Sequence, residues 1–288
     1  MDRSHAPYFL ENPAENGIVI FIHGFMGSPR QFDKLAAAVQ KQGRSAAALL
    51  LPGHGGSVRD FAAGTSARWQ DYVDAEVESY SRDYADIWLA GHSMGGLLAI
   101  NAAVRHGEQA PGMQTPGAQT PGMQTPGAGP PEDRAPEERA PGAHIRGIFT
   151  IACPFKLTTF SAYTIRFRIK QVFSRKDAPA RVAYLDGSSV RLSPGLLWSS
   201  ATQAVELKKL MSKARGNLLL LRAPVFAAYS TSDELTSIQS LDIFRSELSG
   251  APFEHLLLTD SLHAYYPEHE QTLLESSLLS FLQATASL

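Results

Sequence analysis

The fold of this chain is decided by residues 86–102, Asp-Ile-Trp-Leu-Ala-Gly-His-Ser-Met-Gly-Gly-Leu-Leu-Ala-Ile-Asn-Ala. The apolar run Ile87–Ala90 predicts a buried strand, and the apolar positions that follow Gly96 predict a helix. Between them, Gly91-His92-Ser93-Met94-Gly95 fits the pattern Gly-x-Ser-x-Gly. A sharp strand-to-helix turn crowds its flanking backbone, so residues without a Cβ are favoured on both sides of the serine. The stretch therefore predicts that the Ser93 hydroxyl is raised above the edge of a sheet.

Composition limits the classes of protein to which this chain can belong. Its 288 residues are 44% hydrophobic, which is enough for one large α/β domain or two small ones. The formal net charge of −2 provides no global basic field, so nucleic acid is not an expected partner. The single cysteine, Cys153, excludes an intrachain disulfide and a cysteine-rich metal site. The histidines form no ligand-spaced cluster, so no metal or cofactor is expected.

The beginning of the chain and its hydropathy bear on where the protein works. Residues 1–7 contain no apolar core of the kind found in secretory signals. No apolar stretch approaches the length of about 18 residues that crosses a membrane. A soluble cytoplasmic protein is therefore the expectation.

Strand and helix signals alternate along most of the chain, which predicts a doubly wound, mostly parallel α/β sheet with helices on both faces. Besides the strand before Ser93, strands are predicted at Gly17–Ile22, Ala46–Leu51, Ile145–Cys153, Pro224–Tyr229 and Phe253–Leu258. Besides the helix after Ser93, helices are predicted at Pro29–Gln42, Ser66–Tyr84, Thr236–Leu248 and Glu270–Leu282.

Two segments interrupt this alternation. Residues 107–143 are rich in proline and glycine, and Pro111–Thr120 is nearly repeated by Pro121–Pro130, so a disordered surface insertion is expected there. An interaction tether is the alternative for that segment. In residues 155–215, apolar and basic residues alternate between Tyr163 and Lys170, which favours either a solvated face or a patch for an anionic lipid or substrate. Residues 1–106, 144–154 and 216–288 are expected to form the core.

Candidate functional residues follow the predicted strands, because sites in such sheets lie outside the carboxyl ends of strands. A serine hydroxyl needs a base to become a nucleophile, and a histidine base needs a carboxylate to hold its tautomer. His263, after the last strand, is the candidate base, and Asp233, after the preceding strand, is the candidate carboxylate. Asp260 is the alternative carboxylate, although its place beside His263 is more typical of a loop cap. Ser93, Asp233 and His263 occur in the order expected after such a turn.

The remaining candidates would surround these three residues. The backbone N–H groups of Phe25 and Met94 are the candidate donors of an oxyanion hole, since one follows the first strong strand and the other follows Ser93. Four more side chains near strand ends are candidate substrate-binding residues, each with a structural role as the alternative: His23, His54, His92 and Cys153.

Four segments together resemble the α/β-hydrolase superfamily: His23–Ser28, Gly91–Gly96, Ser232–Glu234 and Ser261–His263. Within it, the chain is similar to the small bacterial carboxylesterases and monoacylglycerol lipases. The resemblance covers Gly17–Leu282 except the insertion. It implies an α/β-hydrolase fold, a lid formed by residues 155–215, and cleavage of a small ester with an apolar acyl group through an acyl-enzyme.

Two features depart from the family pattern. Leu262 stands where the family often has glycine before the histidine, and the proline-rich insertion is not part of the pattern. Thioesterase, amidase or acyltransferase chemistry with the same three residues is an alternative. A non-catalytic binding protein on the same scaffold is another, because a fold does not determine a function.

Overall fold

The structure is a computed structural model that describes residues 5–12, 14, 17–107, 144–158, 188–189 and 194–287. Nearly all of the predicted insertion at 107–143, and the alternating stretch between Tyr163 and Lys170, lie outside these residues.

The described strands form one seven-stranded sheet in the order β1-β3-β2-β4-β5-β6-β7. All neighbouring strands are parallel except β1, which pairs antiparallel with β3 at the edge. The strands are β1 (Tyr8–Leu10), β2 (Gly17–Ile22), β3 (Ser45–Leu49), β4 (Asp86–His92), β5 (His144–Ile151), β6 (Val225–Ser230) and β7 (Phe253–Leu258). The predicted fold class is confirmed, while the short edge strand β1 was not predicted.

Helices cover both faces of this sheet. They are α1 (Asp33–Lys41), α2 (Val58–Ala62), α3 (Ser66–Tyr80), α4 (Met94–Gly107), α5 (Pro194–Asn217), α6 (Gln239–Glu247) and α7 (Glu268–Thr285), and a 3-10 turn at Pro29–Phe32 precedes α1. The short helix α2 was not predicted, because five residues carry too little periodicity to be recognised.

Strand β2 shows how the sheet divides the core into two layers. All six of its residues are buried, as expected for a central strand covered on both faces. Ile18, Ile20 and Ile22 pack in the layer that contains α3 and α4, whereas Val19 and Phe21 pack in the layer that contains α1 and α7. The period-two alternation of a strand thus supplies both hydrophobic layers at once.

Helix α5 crosses the predicted boundary between lid and core at residues 215 and 216. Leu207, Leu210 and Ala214 are buried in the same layer as α4, and the Asn217 side-chain amide donates to the side-chain oxygen of Asn101 at 2.8 Å. The predicted division between residues 215 and 216 therefore falls within one helix, and the extent of the lid stays a prediction. These three apolar residues lie on one face of the helix, and such a face stabilises the fold only when it is buried against a neighbouring element.

Candidate active site

Ser93 occupies the tight turn between β4 and α4. Its φ is +52°, in the left-handed region, and its N–H donates to the Ile151 carbonyl at 2.8 Å. A Cβ on Gly91 would lie 2.4 Å from the carbonyl carbon of Gly95, and a Cβ on Gly95 would lie 1.9 Å from the Ile22 oxygen. Both distances are far below van der Waals contact, so the two glycines of the motif are required by the close approach of the backbone.

The side chains of Ser93, His263 and Asp233 form an unbroken hydrogen-bonded chain. His263 Nε2 lies 3.0 Å from Ser93 Oγ, although the two residues are 170 positions apart in sequence. His263 Nδ1 lies 2.9 Å from Asp233 Oδ2 and 3.2 Å from Oδ1. Asp233 follows β6 and His263 follows β7, and the parallel order brings the ends of these strands to the same sheet edge as the end of β4.

The surroundings of Asp233 determine which nitrogen of His263 carries a proton. Asp233 Oδ1 accepts the N–H groups of Leu235 and Thr236, each at 2.8 Å. Burial by itself raises the pKa of the Asp233 carboxyl, but the charge and hydrogen bond of His263 together with these amides hold it below its usual value. An ionised carboxylate accepts only, so His263 Nδ1–H donates to it and Nε2 is left to accept the Ser93 hydroxyl proton.

The pKa of His263 is raised above its ordinary value. Burial alone would lower this pKa, but the charge of Asp233, the hydrogen bond to it and the charge of Glu234 outweigh the effect of burial. A base whose protonated form is stabilised in this way is suited to hold a proton during a reaction.

The loop after β2 runs directly beside Ser93. A Cβ on Gly24 would lie 3.0 Å from Ser93 Cβ, and the Gly27 N–H donates to the Gly24 carbonyl at 2.9 Å across a tight turn. In the described part of the chain, no acceptor is bonded to the Phe25 N–H. Met94 is the first residue of α4, where backbone N–H groups have no partner within the helix. The Phe25 and Met94 amides are therefore without a hydrogen-bond acceptor among the described residues, and their role as an oxyanion hole stays a prediction.

The four predicted substrate-binding side chains, His23, His54, His92 and Cys153, are all buried. His92 Nε2–H donates to the His263 carbonyl at 2.8 Å, and burial together with the His263 ring lowers the pKa of His92 to about 3. His23 Nδ1–H donates to the Gly24 carbonyl at 2.9 Å, and its Nε2 accepts the Leu51 N–H at 3.0 Å. These hydrogen bonds between the His23 and His92 rings and backbone groups favour a structural role for both residues. That either ring contacts the substrate stays a prediction.

His54 and Cys153 are also buried. The His54 ring meets the His23 ring edge-on at 4.7 Å between centroids, and burial lowers the pKa of His54 to about 4. Cys153 Sγ lies against α4, at 3.1 Å from where a Cβ of Gly96 would be, and burial raises the pKa of the thiol. Both side chains thus fill the core behind the loops of the site, and their binding role stays a prediction.

Asp260, the alternative carboxylate, pairs with His269, whereas the His263 ring is hydrogen-bonded to Asp233. Its Oδ2 lies 3.2 Å from His269 Nε2, and both side chains are more than half exposed. Among the described residues, Asp260, His269 and Glu270 have a spacing that could hold a metal ion. The carboxylate of Glu270 is already used, because it accepts the N–H groups of Thr259 and Asp260 and the Ser261 hydroxyl.

Sequence reasoning missed three residues that touch the candidate site. Glu234 Oε2 accepts the His263 N–H at 3.0 Å, and the Tyr266 hydroxyl donates to the His263 carbonyl at 3.2 Å. Ser189 donates its N–H to the Met26 carbonyl at 3.0 Å and its hydroxyl to the Gly27 carbonyl at 2.5 Å. The position of Glu234 beside Asp233 was a usable signal, whereas Ser189 and Tyr266 carry none in the sequence.

The chain matches a protein-family model over most of its length. The model described as "Alpha/beta hydrolase family" matches residues 19–256, which is more than half of the chain. A curated relative, the thermostable monoacylglycerol lipase of Bacillus sp. (strain H-257), is 34% identical over 100 residues. That match spans 35% of this chain and 39% of the relative.

Solved structures share the architecture at low sequence identity. A metagenome-derived lipolytic enzyme (LipS or LipT) is 18% identical, with 98% of both chains covered and a TM-score of 0.65. The monoacylglycerol lipase of Paleococcus ferrophilus is 15% identical, with 96% of this chain and 98% of that chain covered and a TM-score of 0.64. At these identities the similarity establishes the shared fold. Within the described residues, no helix is long and apolar enough to span a membrane.

Proposed function

Because the chain belongs to the alpha/beta hydrolase family, we propose that it is a serine hydrolase of the carboxylesterase or monoacylglycerol lipase type. The observation that carries this proposal is the hydrogen-bonded chain Ser93–His263–Asp233, with distances of 3.0 and 2.9 Å between successive side chains. A nucleophile, a base and a carboxylate in this order are the groups that acyl transfer from an ester requires.

In the first half of the proposed reaction, Ser93 Oγ attacks the ester carbonyl carbon while His263 Nε2 takes the hydroxyl proton. The carbonyl oxygen becomes negative, and the N–H groups of Phe25 and Met94 stabilise it. The tetrahedral intermediate then collapses and the bond to the alcohol breaks. The alcohol leaves with the proton from His263, and the acyl group stays on Ser93.

In the second half, water replaces the alcohol. His263 Nε2 removes a proton from the water, the oxygen attacks the acyl carbon, and the carboxylic acid leaves as Ser93 regains its proton. Asp233 stays ionised throughout and stabilises the imidazolium that forms in each half. The two halves together consume one ester and one water and release one alcohol and one carboxylic acid, and Ser93 and His263 return to their starting protonation states.

The curated relative supports the proposed substrate class. That relative is named a monoacylglycerol lipase, and it is 34% identical over the 100 matched residues. We accordingly propose a small ester with an apolar acyl group as the substrate. A panel of p-nitrophenyl esters of increasing acyl length, together with a monoacylglycerol, a thioester and an anilide, would rank these classes by kcat/KM.

A fluorophosphonate probe tests the proposed nucleophile directly. We expect one adduct per chain, mapped to Ser93 by mass spectrometry, and no adduct after Ser93→Ala. Hydrolysis of p-nitrophenyl butyrate should fall by about 10³–10⁶-fold in Ser93→Ala, because the residual rate rests on the oxyanion hole and binding alone. Ser276→Ala, which changes an exposed serine of α7, is the matched control. Near-normal hydrolysis by folded Ser93→Ala would refute the proposed function.

A further inference from the structure

The backbone of His263 is held on both sides of the residue. Its N–H donates to Glu234 Oε2 at 3.0 Å. Its carbonyl accepts His92 Nε2–H at 2.8 Å and the Tyr266 hydroxyl at 3.2 Å. The ring is therefore directed at Ser93 and Asp233 from a peptide that has little freedom to rotate. Among these three partners, Glu234 is the one that is a carboxylate.

Glu234 is itself anchored by the segment that follows β5. The Glu234 carbonyl accepts the Thr158 hydroxyl at 3.1 Å, and the Leu235 carbonyl accepts the Thr158 N–H at 2.9 Å. An antiparallel bridge between Leu157 and Thr236 continues this pairing. The Glu234 backbone is thus fixed before any substrate arrives, and its half-buried side chain reaches His263 from a stable position.

Among the described residues, the groups that face His263 come from the turn after β4, the loop after β6 and the loop after β7. From the turn after β4, Ser93 contacts the ring and His92 lies 4.9 Å away between ring centroids. His92 stays neutral above a pKa of about 3, and burial raises the pKa of Tyr266 so that its hydroxyl keeps its proton. The loop after β6 contributes the two carboxylates, Asp233 and Glu234. Both act on a ring that is itself buried, where charge is screened weakly.

We propose that Glu234 is a second acidic positioning residue for the reaction proposed above. Its carboxylate fixes the His263 backbone, and its negative charge stabilises the imidazolium that forms when Ser93 gives up its proton. The inference rests on the proposed function, because it concerns the base of that reaction. The hydrogen-bond acceptor of the Glu234 side chain fixes the His263 backbone, and its charge stabilises the imidazolium.

Two substitutions separate these tasks. Glu234→Gln keeps an oxygen that can accept the His263 N–H but removes the charge, whereas Glu234→Ala removes both. Glu254→Gln, which neutralises an exposed glutamate on β7, is the matched control for a change of net charge. Thermal melts of all variants establish that they fold before any rate is compared.

The primary measurement is the pH dependence of kcat/KM for p-nitrophenyl butyrate. Activity is lost on the acid side when free His263 becomes protonated, because the imidazolium cannot accept the serine proton. Removing a negative charge that favours the imidazolium moves this acid limb to lower pH. We expect Glu234→Gln to shift it down by about 0.5–1 pH unit and Glu254→Gln to leave it unchanged. An unshifted limb in Glu234→Gln would overturn the role of the charge.

The comparison of glutamine with alanine tests the backbone contact. We expect kcat on the pH plateau to be about 5–10-fold lower in Glu234→Ala than in Glu234→Gln, with similar KM values, because a loosened base misaligns the transition state. Equal kcat values in the two variants would overturn this part of the proposal.

A readout that does not need activity keeps the two proposals distinguishable. The ring proton of His263 can be titrated by NMR in the wild type and in Glu234→Gln, with His263→Ala used to assign the signal. If the phosphonate labels Ser93 but the His263 titration is the same in both proteins, the inference about Glu234 fails and the proposed function stands. If no label is found but the titration shifts, the proposed function fails while the electrostatic action of Glu234 on His263 stands.

Discussion

At the scale of single residues, close backbone contacts determine which amino acids the candidate site accepts. Ser93 has φ of +52°, which is costly for any residue with a Cβ and is maintained here by the packing around the turn. Leu262, by contrast, is not among the described non-glycine residues with positive φ. Its N–H donates to the Tyr265 carbonyl at 2.9 Å in an ordinary turn. A leucine is therefore tolerated before His263 without backbone strain.

Gly95→Ala tests the close contact between α4 and β2. The added Cβ would lie 1.9 Å from the Ile22 oxygen, so β2 and α4 must separate or the chain must fail to fold. We expect a loss of more than about 3 kcal/mol in the free energy of unfolding, measured by urea denaturation.

Gly216→Ala is the matched control for that substitution. Gly216 lies on an exposed face of α5, where an added Cβ meets no atom within 4 Å. We expect this variant to be unchanged or more stable by up to about 1 kcal/mol, because alanine favours helix over glycine. Wild-type stability in Gly95→Ala would contradict the described geometry of the turn.

At the scale of elements, α5 is tied to the beginning of α3 through one carboxylate. Glu206 Oε2 accepts the Ser66 N–H at 2.8 Å and the Ser66 hydroxyl at 2.5 Å, and Oε1 accepts from Lys209 at 2.5 Å. A negative charge at the N-terminus of a helix also interacts favourably with the helix dipole. The hydrogen bonds from Lys209 and Ser66 lower the pKa of Glu206 to about 2.

Glu206→Gln should make the protein less stable in a pH-dependent way. The folded-state pKa is below the unfolded value of 4.5, so the stabilisation is fully present above about pH 4.5 and is lost as the pH falls through about 2. We expect the variant to be about 1–2 kcal/mol less stable at pH 7, with a difference that shrinks as the pH falls from about 4.5 to about 2.

Urea denaturation at several pH values measures this difference. Glu78→Gln is the control, since Glu78 forms an exposed pair with Arg82 at 3.8 Å and should change stability by less than about 0.5 kcal/mol. A Glu206→Gln defect that does not change with pH would show that the charge of Glu206 has no part in the contact.

At the scale of the whole molecule, residues distant in sequence meet at one sheet edge. We propose that the core comprises residues 1–106, 144–154 and 216–288, extended by the part of α5 from Leu207 onward. Strands β4 and β5, which are separated in sequence by α4 and the 107–143 segment, are bound directly to each other, since they pair in parallel and Arg146 Nε lies 2.6 Å from Asp86 Oδ1. Contacts between β4 and β5 themselves therefore set the pairing register of these two strands.

Deletion of residues 111–140 should leave the fold and the activity intact. The remaining connection of about six residues lies within the usual length for a helix-to-strand loop. We expect the melting temperature to change by less than about 4 °C and the hydrolysis rate to stay within about twofold of wild type. A protein that fails to fold, or a folded protein that loses activity, would contradict the interpretation of this segment as a tolerated surface insertion.

Local physical chemistry made much of this protein predictable from its sequence. The strand-to-helix turn at Ser93, the alternation of strands and helices, and the fold class depend on periodicity and on backbone crowding within a few residues. The place of the candidate site is predictable in the same way, because parallel strands bring the residues that come after them to one edge of the sheet. Ser93, Asp233 and His263 could therefore be chosen as neighbours before any distance was known.

Tertiary structure decided the features that depend on contacts between distant segments. The position of Glu234 beside Asp233 indicates that it lies near the site, but only the packed structure shows that its carboxylate accepts the His263 N–H. Nothing local to Cys153 indicates that it packs against α4. The position of α5 in the core likewise depends on a partner helix about 100 residues earlier in the chain, as the contact of Asn217 with Asn101 shows. Sequence patterns determine which face of an element is apolar, but only the packed fold decides which neighbour covers that face.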